Sequence, residues 1–213
     1  MFKKILVGFV LTHAFSALQA QVDFSALHID VAANYTKYGG EFQQKTTGAR
    51  IQASVPVSDR VRVGLGYIHA FPLKVPSTTA LYPYDYVNSE ETYNFKTFTL
   101  DVIYNLKDED GEGFNAYGIA GAGFTMVSIK NEIKEAIPTG FSVNNGWNSE
   151  KASGLIINLG IGASYSFGLP GIFAEARLSL PSNKVNNVYI ENPIPMHIGF
   201  NVGLRLSFGD ADN

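Results

Sequence analysis

The segment His197–Phe208, HIGFNVGLRLSF, permits few folds. Its large apolar residues take every second position, Ile198, Phe200, Val202, Leu204, Leu206 and Phe208, with Gly199, Asn201, Gly203, Arg205 and Ser207 between them. Successive side chains of a β-strand point to opposite faces, so this strand has one greasy face and one polar face. Alternation over about a dozen residues exceeds the ~5–6 usual in soluble strands and suits a tilted strand crossing a bilayer. In hydrocarbon every backbone N–H and C=O must be paired within the protein, so strands that cross do so only as a closed barrel.

The same pattern recurs upstream. A first strand sets Leu27, Ile29, Val31, Ala33 and Tyr35 against His28, Asp30, Ala32, Asn34 and Thr36. A second sets Ala49, Ile51, Ala53 and Val55 against Arg50, Gln52 and Ser54, and a tight turn at residues 56–59 leads to a third, with Val61, Val63, Leu65 and Tyr67 against Arg62, Gly64 and Gly66. From 71 to about 93 the alternation lapses among Pro72, Pro76, Pro83 and several tyrosines, which predicts a long loop. The fourth strand sets Phe98, Leu100, Val102, Tyr104 and Leu106 against Thr97, Thr99, Asp101 and Asn105. After the charged connection KDEDGEG, a Gly- and Ala-rich fifth strand spans 114 to about 129, its greasy side assigned to Tyr117 and Ile119. Residues 130–151, which contain Trp147, form a second polar loop. The sixth strand sets Leu155, Ile157, Leu159, Ile161, Ala163, Tyr165 and Phe167 against Asn158, Gly160, Gly162 and Ser164. A GLPG turn then introduces a seventh, with Ile172, Ala174, Ala176, Leu178 and Leu180 against Glu175, Arg177 and Ser179, and a Pro/Asn-rich loop over 181–195 delivers the last strand. Short and long connections therefore alternate around eight strands, as in an up-and-down barrel.

Residues 1–20, MFKKILVGFVLTHAFSALQA, combine Lys3 and Lys4 with a short apolar run and small residues up to Ala20. They read as a cleavable secretory signal, leaving 21–213 as one barrel domain. The chain has no cysteine, so there is no lipid-anchored cysteine and no disulfide framework. A net charge of −3 with scattered basic residues gives no footprint for nucleic acid. No paired-His spacing supports a metal, and AYGIAGAG lacks the Lys-Ser/Thr ending of a phosphate loop, so neither metal nor cofactor is expected.

Alternation alone does not say whether the greasy face meets lipid or lines a ligand cavity, as in a secreted lipocalin-like carrier. The opposite face is small and mildly polar, with none of the dense Lys and Glu of a water-soluble exterior. An eight-stranded lumen also has room only for its own side chains. Tyr35, Tyr67, Tyr104, Tyr117, Tyr165 and Phe208 fall near strand ends, where aromatic girdles sit. Lipid outside is therefore expected. The closing alternation ending on Phe208 resembles the C-terminal assembly strand of bacterial outer-membrane β-barrels, although here GDADN follows the phenylalanine. Over residues 21–213 the pattern resembles the small OmpA/OmpX-type barrels. The resemblance implies an all-β, eight-stranded antiparallel up-and-down transmembrane barrel in the cell outer membrane. It also implies contact with outer-membrane lipid and lipopolysaccharide, recognition of 197–208 by the barrel-assembly machinery, and a monomer.

On this reading Asp30, Arg50, Arg62, Asp101, Glu175, Arg177 and Arg205 lie in the lumen. Charges in so narrow a space are costly unless paired, which predicts a salt-bridge network filling the barrel and arguing against an open pore. A narrow channel for small or hydrophobic solutes is the alternative. Tyr82, Tyr84, Asp85, Tyr86 and Trp147 are the candidate surface-loop contacts. Some barrels of this size are lipid A-modifying enzymes that work with His and Ser near the outer rim, and here His69 and His197 close and open strands near Ser77, Ser142 and Ser149. Nothing in the spacing selects one serine as a nucleophile, so no catalytic residue is assigned. A structural, adhesive or surface-interaction role is expected.

Overall fold

The computed structural model describes residues 26–39, 43–82, 85–107, 112–143, 149–182 and 194–208. Residues 1–20 and the tail after Phe208 lie outside them. Ten strands are present: β1 (Leu27–Tyr38), β2 (Lys45–Ser58), β3 (Val61–Ala70), β4 (Leu73–Tyr82), β5 (Asp85–Asn105), β6 (Gly113–Ile133), β7 (Ser142–Val143), β8 (Ser149–Ser166), β9 (Pro170–Pro181) and β10 (His197–Phe208). Eight of them, in the order β3-β2-β1-β10-β9-β8-β6-β5, pair antiparallel, and β5 closes the ring by pairing back to β3. Closure abolishes sheet edges in the wall.

Alternation decides which side each residue takes. Val31, Leu65, Leu100, Ile161, Val202 and Leu204 are half or more exposed on the outside, whereas Asp30, Arg50, Gln52, Arg62, Asp101 and Asn201 are at most 1% exposed on the inside. Among the described residues the greasy side chains face outward and the charged and amide ones inward, the reverse of the lipocalin-like arrangement. Two bands of outward aromatics flank the apolar belt. Tyr35 against Phe200 (6.4 Å between ring centroids) and Tyr67 against Phe98 (5.0 Å) lie toward the long connections. Tyr165 against Phe167 (4.8 Å) lies toward the short turns. At that end the GLPG turn uses the positive φ of Gly168 (98°), with the Phe167 N–H donating to the Pro170 carbonyl at 2.9 Å.

Two sequence expectations are corrected here. Tyr117 and Ile119 face the lumen, at 2% and 4% exposure, and Phe114 and Phe124 face outward instead. Gly118, Ala120, Gly121 and Ala122 make both faces of β6 small, so its pattern carried no facing information; pairing with β5 and β8 decides it. The long loop over 71–93 is largely β-structure. Leu73 pairs with Tyr93 and Leu81 with Asp85, a hairpin that continues the wall beyond the barrel. Pro76 is tolerated because β4 is an edge strand, its other side meeting only β7 through Leu81 and Tyr82. β5 and β6 each run for 21 residues, about twice the ~9–11 needed to cross a bilayer, so their distal halves project from it.

Candidate functional site

The lumen is built in layers along β5, whose inward side chains from the short-turn end are Asn105, Ile103, Asp101, Thr99, Thr97, Phe95 and Tyr93. Near the turns, Ile103, Tyr117 and Ile119 form a small apolar floor beside Arg62. The guanidinium of Arg62 lies 5.9 Å from the Tyr117 ring centre, and that of Arg205 5.3 Å from the same ring and 5.4 Å from the ring of Phe173. The Tyr117 hydroxyl donates to Glu175 Oε1 at 3.1 Å.

Above this floor the charges are joined. Arg177 Nη1 donates to Asp101 Oδ2 at 2.6 Å and its Nε to Glu175 Oε2 at 2.9 Å. Arg50 Nη1 donates to the same Glu175 oxygen at 2.7 Å, and its Nη2 to Gln52. Gln52 Nε2 and the Thr99 hydroxyl donate to Asp101 Oδ2 at 2.8 and 3.0 Å. Arg205 grips Asp30 with two parallel bonds, Nε to Oδ1 at 2.7 Å and Nη2 to Oδ2 at 2.9 Å. All seven charged residues singled out in the sequence are 4% exposed or less, and strands β1, β2, β3, β5, β9 and β10 each contribute at least one.

Space for these side chains comes from inward glycines on neighbouring strands. A Cβ at Gly162, the register partner of Tyr117, would lie 2.8 Å from the Tyr117 hydroxyl oxygen and closer still to the ring. A Cβ at Gly160 would meet Arg177 Cγ at 3.1 Å. One at Gly121, opposite Asp101, would collide with the carboxylate.

Toward the long connections the interior turns to amides and hydroxyls: Asn34 donates to Asn201 at 2.9 Å, Ser179 to Asn158 at 2.7 Å, and Thr97 bonds Thr125 at 2.9 Å. A cavity of about 30 Å³ remains among them, room for one or two waters. Over it lies an apolar lid of Tyr38, Ala70, Tyr93, Phe95, Val127, Ile129, Ile156 and Ile194. Sequence reading missed this lid. The signal was parity: Phe95 shares the face of Thr97, Thr99 and Asp101, two residues before the predicted start of the fourth strand.

The inner end of β1 and β10 forms a seam of side-chain ties at directly opposed positions. His28 bonds Ser207 at 2.9 Å, Asp30 takes Arg205, and Asn34 takes Asn201, with Ala32 opposite Gly203 between them.

Outside the barrel, the projecting sheet carries the candidate surface residues that the structure describes. Tyr82 and Tyr86 are 64% and 73% exposed near the β4–β5 tip, and Asp85 Oδ1 accepts the Tyr86 N–H at 2.8 Å. Tyr84 and Trp147 lie outside the described residues. On the opposite face from the tyrosines, Leu81 and Val87 are each 4% exposed. Lys74 and Lys134 both reach Glu90 Oε1, at 3.1 and 3.3 Å, and the Lys74 hydrogen bond above all holds the Glu90 carboxyl below the usual range.

The two rim histidines do not share a site. His69 points outward, stacked near Tyr67, whereas His197 points inward, 5.3 Å from the Tyr38 ring with Nδ1 3.1 Å from the Pro195 carbonyl oxygen. Ser77 donates to Glu91 at 3.0 Å, Ser142 sits opposite Tyr82, and Ser149 opposite Lys130. No His–Ser–acid relay is assembled among the described residues.

This is the architecture of a closed, eight-stranded antiparallel transmembrane β-barrel. Comparison with solved structures returns that class. The fold is similar to neisserial surface protein A (TM-score 0.58, 16% identity, covering 86% of this chain and 99% of that one). It is also similar to a major outer membrane protein of Thermus thermophilus (TM-score 0.58, 15% identity, 85% and 99%). A third similar structure is Ail, the attachment invasion locus protein of Yersinia pestis (TM-score 0.52, 12% identity, 86% and 99%). No protein-family model and no curated protein matches the sequence.

Proposed function

We propose that the chain is an outer-membrane protein whose barrel is an anchor with a plugged lumen and whose working surface is the projecting β4–β5–β6 sheet. Its role is structural, adhesive or surface-interacting, without catalysis. Residues 1–20 act as the secretory signal, the alternating strand β10 is read by the assembly machinery, and the barrel works as a monomer with its long connections facing the medium. The observation that carries the reading is the crossing of the lumen by Arg50, Glu175, Arg177 and Asp101, bonded at 2.6–2.9 Å with a lid of apolar side chains above. These four side chains, already paired to each other, lie across the path a hydrated ion would take, and the cavity above them is the size of a water or two. The projecting sheet, by contrast, offers two large tyrosines to the medium, the residue type that supplies contact area at low entropic cost.

The test is conductance. The purified barrel, shown folded by faster migration of the unboiled band, is added to a planar bilayer; a bare baseline is expected. Stepwise currents would overturn the plug and favour the narrow-channel reading. Tyr82→Ser/Tyr86→Ser should weaken surface attachment of cells that display the protein while leaving heat-modifiable migration unchanged.

A further inference from the structure

The wall residues facing outward near the long-loop end fall into horizontal rows set by the strand register. Two rows are greasy: Leu65, Leu100, Ala122 and Ile157, then Tyr67, Phe98, Phe124 and Leu155. The next row up is His69, Lys96, Met126 and Ser153 on β3, β5, β6 and β8. Above it stand Asn94, Ser128 and Lys151, and then Thr92, Lys130 and Ser149. Within three rows the surface passes from hydrocarbon through aromatic to cationic.

Three lysines therefore surround one patch. Lys151 is directly opposite Ser128, Lys96 directly opposite Met126, and Lys130 lies on the strand that carries both. With strands ~4.8 Å apart and ~3.4 Å per residue, the three lysine anchor points bound an area of about 10 by 14 Å, which their flexible stems span. His69, Asn94, Lys96, Met126, Ser128, Lys151 and Ser153 line a surface depression of about 620 Å³ there. His69 Nδ1 is shielded from solvent and has no hydrogen-bond partner among the described residues, and the residue belongs to the same depression. Among the described residues no carboxylate shares these rows. Glu150 and Glu91 are on the alternate, inward positions, and Glu90 and Glu132 stand one row higher, where Lys74 and Lys134 neutralise them.

We infer that this depression is a binding site for the phosphorylated headgroup of an outer-leaflet lipid, held by Lys96, Lys130 and Lys151 with Ser128, Ser153, Asn94 and His69 as further hydrogen-bonding groups. The inference rests on the membrane reading above. A free phosphate ion would need only the cations; the unbroken passage into Tyr67, Phe98, Phe124 and Leu155 directly beneath supplies a bed for acyl chains and commits the site to a lipid. Lysine is suited to this task as a compact charge on a long stem that reaches up from the hydrocarbon boundary. The site ties the root of the projecting sheet to the membrane surface, since Lys96 lies on β5 just below it and Lys130 on β6 level with its first pairs.

The test is lipid retention by native mass spectrometry of the folded barrel released from bilayers containing lipid A, dephosphorylated lipid A and phosphatidylcholine. Phosphorylated lipid A should be retained selectively. Retention should fall roughly fivefold for each lysine neutralised in the K96Q, K130Q, K151Q series, from the energy of one cation near an anionic surface. The charge-preserving K96R/K130R/K151R variant should retain it. Equal retention of dephosphorylated lipid A, an unchanged triple glutamine variant, or complete displacement by millimolar inorganic phosphate would overturn the site. Heat-modifiable migration of every variant is measured first. A protein that never inserts defeats the membrane reading, whereas an inserted barrel without lipid selectivity defeats this inference alone.

Discussion

Arg205→Met leaves the Asp30 carboxylate at 1% exposure without the two bonds, 2.7 and 2.9 Å long, that Arg205 gives it. Removing one partner of a buried pair costs about 3–5 kcal/mol, because an uncompensated charge stays behind. For a domain of this size each kcal/mol shifts Tm by about 2–4 °C, so a drop on the order of 6–20 °C follows. Asp30→Leu should cost less than Arg205→Met, because Arg205 keeps its places against Tyr117 and Phe173 (5.3 and 5.4 Å). Each such cation–ring contact is worth ~0.5–2 kcal/mol. The double variant carries no orphan charge, and paired removal of buried ions is often close to neutral, so it should recover most of the loss. The assay is the fraction of faster-migrating folded band against temperature in lipid bilayers, for wild type, both single variants and the double. Additivity of the two losses within ~0.5 kcal/mol, or no loss in either, would refute a coupled pair.

Gly162→Val places a branched side chain where the Tyr117 ring lies and should abolish the heat-modifiable band; Gly162→Val with Tyr117→Ala should restore part of it. In the projecting sheet, the Glu90 carboxyl is held below its ordinary value by Lys74 and then by Lys134, so the tie is fully present above that ordinary value of ~4.3 and is lost as pH falls through the depressed one. Limited proteolysis of the sheet should therefore be flat from neutral pH to about pH 4 and rise below it; a rise near pH 6 would contradict the assignment. His69→Ala/His197→Ala should leave the acyl pattern of lipid A as it is in wild-type cells, and an altered pattern in the mass spectrum would reopen a catalytic role.

The strands most legible in the sequence were those with a large residue on one face and a small polar one on the other. β10 and β8 follow this rule, and in β9, where Ala174 and Ala176 face outward and Phe173 inward, it is the charge of Glu175 and Arg177 that marks the inner face. β6 was illegible because its Gly and Ala run gives both faces the same character, and Tyr117 looks like a girdle residue until Gly162 is seen to make room for it. The projecting hairpin hid behind prolines, whose message is weaker at an edge strand than in a central one. Which carboxylate meets which guanidinium was out of reach: Glu175 serves both Arg50, from a strand far away in sequence, and Arg177, two residues along its own strand. Only the closed ring brings such partners together.

The ties between β1 and β10 bear on how the barrel shuts. These are the first and last strands of the described residues, and their pairing joins the two ends of the wall whose other seven contacts complete the ring. Backbone bonds alone would accept several alignments. A slip of two residues keeps greasy side chains outward and polar ones inward, so the membrane would not object. The interior would: moving Asp30 two places along leaves it facing Gly203 or Ser207 in place of Arg205, and Asn34 facing Gly199 or Gly203 in place of Asn201. Each mispairing strands a carboxylate or an amide in a dry space. The lumen thus proofreads the closure, and a chain shorn of these ties should assemble into a mixture of misaligned rings rather than one.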